Sequence, residues 1–567
     1  MPQRKISQHY AVFKQNLLDF IHTPRFRAIF VFGVCLYLVA LFALLRGNAY
    51  YLDDWVRSMN RQGFSGFSRY MATFLVEVLN LFDGILDISP LYQLLGICFL
   101  TIASMAILYT LNGGFSFWGI IALAPLGLSP YFLQNVSYRF DCATMSFALL
   151  CACLPFIFRK NLAVFCAVSV VCLVFSYLSY QAANSVYIVL CLFFAFVMIV
   201  ECFRDNKKHI LAFVLSCAGS FVLASGIYKV IFVRKTDINS YASDKMLSFS
   251  EMFGGGGIYA NISTYFHHLL NDMAWSPFIF IFCALCVFFV VICCFGDFAR
   301  ESKNTKASLL GKTCIFICAI LFLGVSLSLS FGAYLVLEKP IFAPRVFNGI
   351  GAFVALLCLF CLRYSQNGKV FKFLGRAFAL ILAYQCVLYA NAYGNALTKQ
   401  QEYTMFRANL LINDLTKIKP NPTYTTHLQD RRNPNKWWHK WKKPKLVKDY
   451  DTIIFIKGTI GYTPTAQELA RRYAITKALL PIHLGEDFTT PAVLQVYKIP
   501  YAIETFSEQS YQECTKKATK SAKDSITDSS AKVLLENPYH KIETYQAKES
   551  KNDTPKTCLI VTLKPSE

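Results

Sequence analysis

The stretch Arg27-Ala-Ile-Phe-Val-Phe-Gly-Val-Cys-Leu-Tyr-Leu-Val-Ala-Leu-Phe-Ala-Leu-Leu45 carries no charge after its first residue. A bilayer core is about 30 Å thick and takes about 20 apolar residues in a helix, so this segment reads as a membrane span. About 26 largely polar residues precede it without a small-residue cleavage pattern, which favours a retained span over a signal peptide. Ten further stretches read the same way: Leu91–Leu111, Phe117–Leu133, Cys142–Phe158, Leu162–Leu178, Ala182–Val200, Ile210–Val233, Trp275–Phe295, Cys314–Ala333, Val346–Leu362 and Ala377–Ala392. The fold class expected is an all-α polytopic membrane domain of about 11 transmembrane helices, followed by a small α/β extracytoplasmic domain.

Composition agrees. Of 567 residues, 55% are hydrophobic and 16% charged, with 51 Phe and 31 Tyr; a soluble protein carries about 25% charged residues. The formal charge of +22 would ordinarily raise a nucleic-acid hypothesis. Its distribution argues against one. Of the 29 basic residues before Leu397, 18 fall in segments that become cytoplasmic when the N-terminus is placed inside, as the positive-inside bias requires. An odd number of spans then puts everything after Ala392 outside, together with the loops Gly47–Pro90, Arg234–Asn271 and Tyr334–Arg345. The expected domains are a cytoplasmic segment 1–26, a transmembrane domain 27–394 and an extracytoplasmic domain 395–567 with a linker near 514–532.

In the tail, Tyr403–Leu415 and Ala466–Leu479 read as helices, and Thr452–Ile456 and Ala492–Tyr497 as short buried strands. Lys436-Trp-Trp-His-Lys-Trp-Lys-Lys-Pro-Lys445 is a cationic run with three Trp; a solvated loop and a patch facing a membrane or an anionic glycan are both open readings. Nineteen of the 21 Cys precede Leu397, most of them inside apolar spans, where a thiol packs as a small hydrophobe. Cys283 with Cys286 and Cys358 with Cys361 lack a second ligand pair at zinc spacing, and His267–His268 lack the spacing of a helical zinc site. No metal site is expected. Cys514 and Cys558 are the only cysteines of the tail, and an oxidising compartment would allow them to pair. Gly254–Gly257 has no P-loop Lys-Ser/Thr behind it and reads as a flexible loop.

The informative residues lie at the expected outer mouths of the spans. Asn48-Ala-Tyr-Tyr-Leu-Asp-Asp-Trp-Val-Arg57 follows the first span and continues to Arg69. Two adjacent carboxylates, Asp53 and Asp54, are expensive to desolvate beside a membrane without a cationic partner or a chemical reason. Ser129–Asp141 ends in Tyr138-Arg139-Phe140-Asp141, a third turn holds Tyr180-Gln181, and a fourth runs from Lys339 to Arg345. Arg57, Arg69, Arg139 and Arg345 all run against the charge bias that orients the chain, so they need a local reason. A phosphate at the membrane surface supplies one, because guanidinium matches phosphate oxygens in bidentate geometry.

The order Tyr-x-Asp-Asp-x-x-Arg, Ser89-Pro90-Leu91, Tyr138-Arg-x-Asp141, Tyr180-Gln181, Pro344-Arg345 and Tyr389-Ala-Asn-Ala392 resembles the Gtr type II bacterial glucosyltransferases, which modify O-antigen. The resemblance spans roughly residues 30 to 500. It implies a GT-C-like fold in the bacterial inner membrane and a polyprenyl-phosphate-linked sugar donor. No cofactor is expected to be required, with metal dependence left open. It implies transfer of a hexose, glucose by family, to a surface glycan or lipid-linked glycan at the periplasmic face. It also places catalysis on the first-loop acidic pair, here Asp53 and Asp54. Where that family often has Gly-Arg, this chain has Phe67-Ser-Arg-Tyr70, which leaves the role of Arg69 to be fixed by structure. In this reading a carboxylate, Asp54 by preference, takes the acceptor proton, and Arg139 and Arg345, with Arg57, meet the departing phosphate. Asp141, Tyr138, Tyr180 and Gln181 line the sugar or hold the arginines. The rivals are a flippase, transporter or polymerase of lipid-linked glycans, which would favour ionisable residues at the bilayer midplane, and a scaffold presenting its tail.

Overall fold

The computed structural model describes residues 2–60, 63–202, 207–233, 245–295, 309–366, 368–418, 424–429, 445–450, 452–497, 499, 501–507, 532–545 and 557–565. The Trp/Lys run 436–444, the segment 514–531 and Cys514 lie outside the described residues. The chain divides into two compact units. One comprises Met1–Tyr51, Arg61–Leu397 and Glu468–Leu479; the other comprises Leu52–Asn60, Thr398–Gln467 and Leu480–Glu567.

The first unit is helical. Among the described residues seven helices are long and apolar enough to cross a membrane, starting with Phe26–Gly47, Leu91–Asn112 and Leu162–Ser179, and an eighth crossing is made if a bent pair counts as one. The expected eleven differ from this for a physical reason. Two of the apolar runs fold as short helices, Cys142–Cys153 and Asn348–Tyr364, and in Leu309–Leu329 the apolar stretch is confined to Thr313–Leu329. Another, Phe117–Leu133, is broken.

That break shapes the unit. Phe117–Ala122, Pro125–Leu128 and Pro130–Ser137 form three short helices, with a 66° bend between Phe117–Leu128 and Pro130–Ser137. Pro125 and Pro130 cannot donate to the preceding turn, so each starts a helix rather than continuing one. Ser129 caps the third by accepting from the Phe132 amide. All eight residues of Pro130–Ser137 are buried, so the stretch expected as a turn over 129–141 is largely a buried helix. Close approach elsewhere relies on small residues: a Cβ on Gly96 would stand 2.9 Å from Cys142 Sγ, which lets Leu91–Asn112 pack directly against Cys142–Cys153.

The last long helix runs unbroken from Lys369 to Ile418, well past Ala392, because the residues beyond the apolar stretch are mostly good helix formers.

The second unit holds a five-stranded sheet in the order Ala502–Thr505, Thr452–Gly458, Thr557–Leu563, His540–Tyr545, Lys532–Glu536. The first two junctions are parallel and the last two antiparallel. Tyr424–Gln429 and Lys445–Tyr450 make a separate antiparallel pair. Cys558, fully buried, is disulfide-bonded. Two tail expectations change. Ala492–Tyr497 belongs to a helix, Thr490–Gln495, started by Pro491 in its first turn, and Ala466–Leu479 is divided between Pro464–Arg472 and Thr476–Leu479. Arg407 is buried and donates to Tyr403 Oη and to the carbonyls of Tyr539 and Lys564.

Candidate functional site

The short helix Pro130–Ser137 carries the polar side chains that organise the first unit's site. Its sequence puts Gln134, Asn135 and Tyr138 within one turn of its C-terminal end, where a helix presents residues three and four apart on one face. All three reach Arg345. Gln134 Oε1 accepts from the Arg345 amide at 2.7 Å, Asn135 Nδ2 donates to the Arg345 carbonyl at 3.3 Å, and Arg345 Nη1 donates to Tyr138 Oη at 3.0 Å. Tyr180 Oη adds a second donor to the same carbonyl at 3.0 Å. The backbone of Arg345 is therefore fixed on both sides, and its side chain projects from a clamped base.

Arg69 approaches Tyr180 from another segment. Its guanidinium carbon lies 4.8 Å from the Tyr180 ring centroid and its Nε donates to Gln181 Oε1 at 2.9 Å. Gln181 is itself held, donating to the Phe67 carbonyl at 3.1 Å and to Tyr228 Oη at 2.8 Å. Burial pushes the Tyr180 phenol above its ordinary range, the charges of Arg345 and Arg69 pull it back, and Asp141 opposes them. Arg345 and Arg69 thus both meet one buried ring.

Arg139 behaves differently. Its Nη2 pairs with Asp87 Oδ2 at 2.8 Å, its Nη1 donates to the Asn48 carbonyl at 2.8 Å, and it stands 4.3 Å from the Tyr50 ring centroid. Tyr50 Oη donates to the same Asp87 oxygen at 3.0 Å. Its charge is matched by a carboxylate. Asp141 is buried at the start of Cys142–Cys153, with Thr144 Oγ1 donating to its carbonyl.

The acidic pair belongs to the second unit. Asp54 opens the helix Asp54–Asn60 and is fully buried. The Asp53 side chain is 41% exposed, 3.8 Å from Arg57 one turn on, and Arg57 is buried. Two adjacent carboxylates, indistinguishable in sequence, therefore sit in different surroundings: one enclosed, one open to an incoming group. Trp55, also buried, meets His483 edge-on at 5.9 Å, and His483 contacts Thr489 Oγ1 at 3.3 Å.

The structure brings Arg69 and Arg345 to Tyr180, with Gln181 on Arg69 and Tyr138 on Arg345, and gives Arg139 a carboxylate partner. Sequence reasoning missed Asp87, a lone acid between apolar residues, although its place just before the Leu91 span was a usable signal. It also missed Asp272, near the end of Gly257–Met273, whose carboxyl is pushed up by burial to about 6. Among the described residues no group of three His, Cys, Asp or Glu side chains converges so as to hold a metal ion.

A family model described as Glucosyl transferase GtrII matches residues 41–356, the region holding every residue above from Asn48 to Arg345. A protein of Salmonella phage P22, described as an uncharacterized 55.3 kDa protein in the gtrB 5' region, is 25% identical over 468 residues, covering 81% of this chain and 87% of its own. No solved structure matches the chain.

Proposed function

Because the chain belongs to the GtrII family of glucosyl transferases, we propose that it moves a hexose, glucose by family, from a polyprenyl-phosphate sugar to a surface glycan such as O-antigen. The reaction takes place at the periplasmic face of a bacterial inner membrane, with the N-terminus cytoplasmic and the tail periplasmic. Nucleotide sugars are absent there, so a lipid-anchored phosphate is the donor chemistry that fits. The observation carrying this reading is the pair Arg69 and Arg345, drawn to one buried tyrosine.

The step is a single displacement. The acceptor oxygen bonds to the anomeric carbon, the bond from that carbon to the phosphate oxygen breaks, and its electron pair leaves on the phosphate. The configuration inverts. The acceptor proton passes to a carboxylate of the Asp53–Asp54 pair, a general-base contribution of about 10² to 10⁴ in rate. The exposure of Asp53 supports it as the proton acceptor and the enclosed Asp54 as the group that positions it, which reverses the preference drawn from sequence. Arg69 and Arg345 oppose the charge developing on the phosphate, and preorganised donors of this kind are worth about 10² to 10³ each. Arg139, neutralised by Asp87, orders the Asn48–Tyr50 segment that leads to the acidic pair.

The test is the surface-glycan mass profile of cells with and without the gene, complemented by the Asp53→Asn/Asp54→Asn double variant. Loss of one hexose in the deletion, not restored by the double variant, is expected. Loss of the whole glycan chain points to a flippase or polymerase, and full transfer by the double variant removes the acidic pair from the chemistry.

A further inference from the structure

The loop after the first span is divided between the two units, and its acidic pair falls with the C-terminal sheet: Leu52–Asn60 belongs to the same compact unit as Thr398–Gln467 and Leu480–Glu567. Within that unit the pair needs holding. Leu52, immediately before it, has a φ of 43°, a left-handed backbone that a leucine keeps only where its surroundings enforce it. Trp55, immediately after it, ties the turn to the rest of the unit. Its side chain is buried, its amide donates to the Leu52 carbonyl at 3.3 Å, and the Arg57 amide donates to the Asp53 carbonyl at 2.9 Å. The turn through Leu52–Asp54 therefore moves with the indole.

The indole meets His483. The two rings stand edge-on, 5.9 Å between centroids at 69°, and both are buried, an arrangement that aromatic pairs prefer. His483 is held in turn. Its Nδ1 lies 3.3 Å from Thr489 Oγ1, whose hydroxyl donates to the His483 carbonyl at 3.4 Å. The loop carrying it is hooked to the sheet. The Ile460 amide donates to the Leu484 carbonyl at 3.3 Å, the Glu486 amide donates to the Gly458 carbonyl at 3.1 Å, and Glu486 Oε1 accepts from the Gly458 amide at 2.7 Å. A Cβ on Gly485 would stand 3.0 Å from the Gly458 oxygen, so the loop lies directly against the end of the strand Thr452–Gly458. The imidazole serves two ends at once, its ring toward Trp55 and its nitrogen toward Thr489.

This chain of contacts, from sheet to loop to imidazole to indole, ends one residue from Asp54 and two from Asp53. Asp54 is enclosed and Asp53 is 41% exposed, a difference that lasts only while the turn is fixed. Relaxation of Leu52 to an ordinary φ would swing both carboxylates, and a misplacement of about 1 Å can cost a reacting pair about 10² in rate.

We propose that His483 is a positioning residue for the transfer: it braces Trp55 and so holds Asp53 and Asp54 in the orientation that takes the acceptor proton. The inference rests on the acidic-pair reading above.

The test follows the rate at which hexose appears on the surface glycan of the deletion strain after induction of each variant, per copy of full-length protein in the membrane. His483→Ala is expected to slow transfer by about ten-fold to a hundred-fold. His483→Phe, which keeps a ring against Trp55, recovers most of that loss. Added to Asp53→Asn/Asp54→Asn, His483→Ala leaves the residual rate, accumulated over a longer induction, unchanged, because residues that act as one unit are not additive. A merely structural loss lowers both backgrounds by the same factor. An equal loss in both backgrounds, or no recovery by His483→Phe, overturns the inference. Full transfer by His483→Ala beside an inactive carboxylate variant refutes the inference alone, whereas full transfer by the carboxylate variant with His483 intact refutes the acidic-pair reading itself.

Discussion

The phenol of Tyr180 donates to the main-chain carbonyl of Arg345 at 3.0 Å, so the tyrosine that lies under Arg69 also fixes the backbone from which Arg345 projects. One buried ring couples two cations that are 276 positions apart in sequence. Tyr180→Phe keeps the ring under Arg69 and removes the donor. The Arg345 carbonyl retains Asn135, so the fold should survive at a cost of about 1 kcal/mol for one neutral hydrogen bond. Donor KM should rise, with kcat less affected, in assays over a donor series.

Arg345→Lys tests the guanidinium itself. The contacts to Gln134, Asn135 and Tyr180 use main-chain atoms of Arg345, so the substitution leaves the clamp intact. Lysine keeps the charge and loses the planar fork. Transfer should fall by about 10² or more, as for loss of one preorganised donor, with thermal stability near wild type. Retained activity in Arg345→Lys would place the phosphate elsewhere.

Arg139 and Asp87 form a nearly enclosed pair, with side-chain exposures of 9% and 22%. Removing one partner leaves a charge in poor surroundings. Asp87→Asn should lower stability by about 2 kcal/mol, less than the 3–5 kcal/mol typical of a fully buried pair because Asp87 reaches solvent. The double variant Asp87→Asn/Arg139→Gln should recover part of the loss. Thermal melts of the four members of the cycle in detergent give the coupling directly.

How much of this was legible in the sequence depends on the length scale of the signal. Spans such as Phe26–Gly47 and Leu91–Asn112 follow from uninterrupted apolar runs. Phe117–Leu133 is equally apolar, and the breaks come from Pro125 and Pro130, which an average over residues dilutes. The helix through Ala392 continues to Ile418 because hydropathy ends there and helix propensity does not. Ala492–Tyr497 was short and apolar, the case in which strand and helix cannot be separated by period. The arginines were visible as exceptions to the charge bias. Their division into a neutralised Arg139 and a differently held Arg69 and Arg345 was not, because Asp87, Gln134 and Tyr180 meet them only through the fold. Asp53 and Asp54 were found together, and only burial tells them apart.

Asp272 makes stability depend on acidity. Burial raises its carboxyl from 3.8 to about 6, so the folded chain binds this proton more tightly than the unfolded chain does. Its effect is absent below the unfolded value, and stability falls as pH rises from about 4 to about 6, where the carboxylate must ionise within the fold. A shift of this size corresponds to about 3 kcal/mol at most. Asp272→Asn, neutral at every pH, should flatten that slope. Melting temperature measured between pH 4 and pH 7 checks it; an unchanged slope in Asp272→Asn assigns the dependence to other groups.

Gln181 offers a way to weaken the proposed phosphate site without touching either arginine. Its Oε1 accepts from Arg69 Nε while its Nε2 donates to Phe67 O and Tyr228 Oη. Gln181→Glu keeps the shape, turns the neutral acceptor into a carboxylate and loses both donations. Tyr228 Oη can supply its own proton to the new carboxylate, so the main new interaction is an ion pair with Arg69, now neutralised as Arg139 is by Asp87. A phosphate would then meet a compensated guanidinium and a nearby negative charge. Donor KM should rise about ten-fold, the scale of a 1.4 kcal/mol change, and the defect should ease at high ionic strength as screening weakens the repulsion. Gln181→Leu loses the same hydrogen bonds and adds no charge, so its defect should be smaller and insensitive to salt. If both variants respond to salt alike, Gln181 acts on packing rather than on the charge of Arg69.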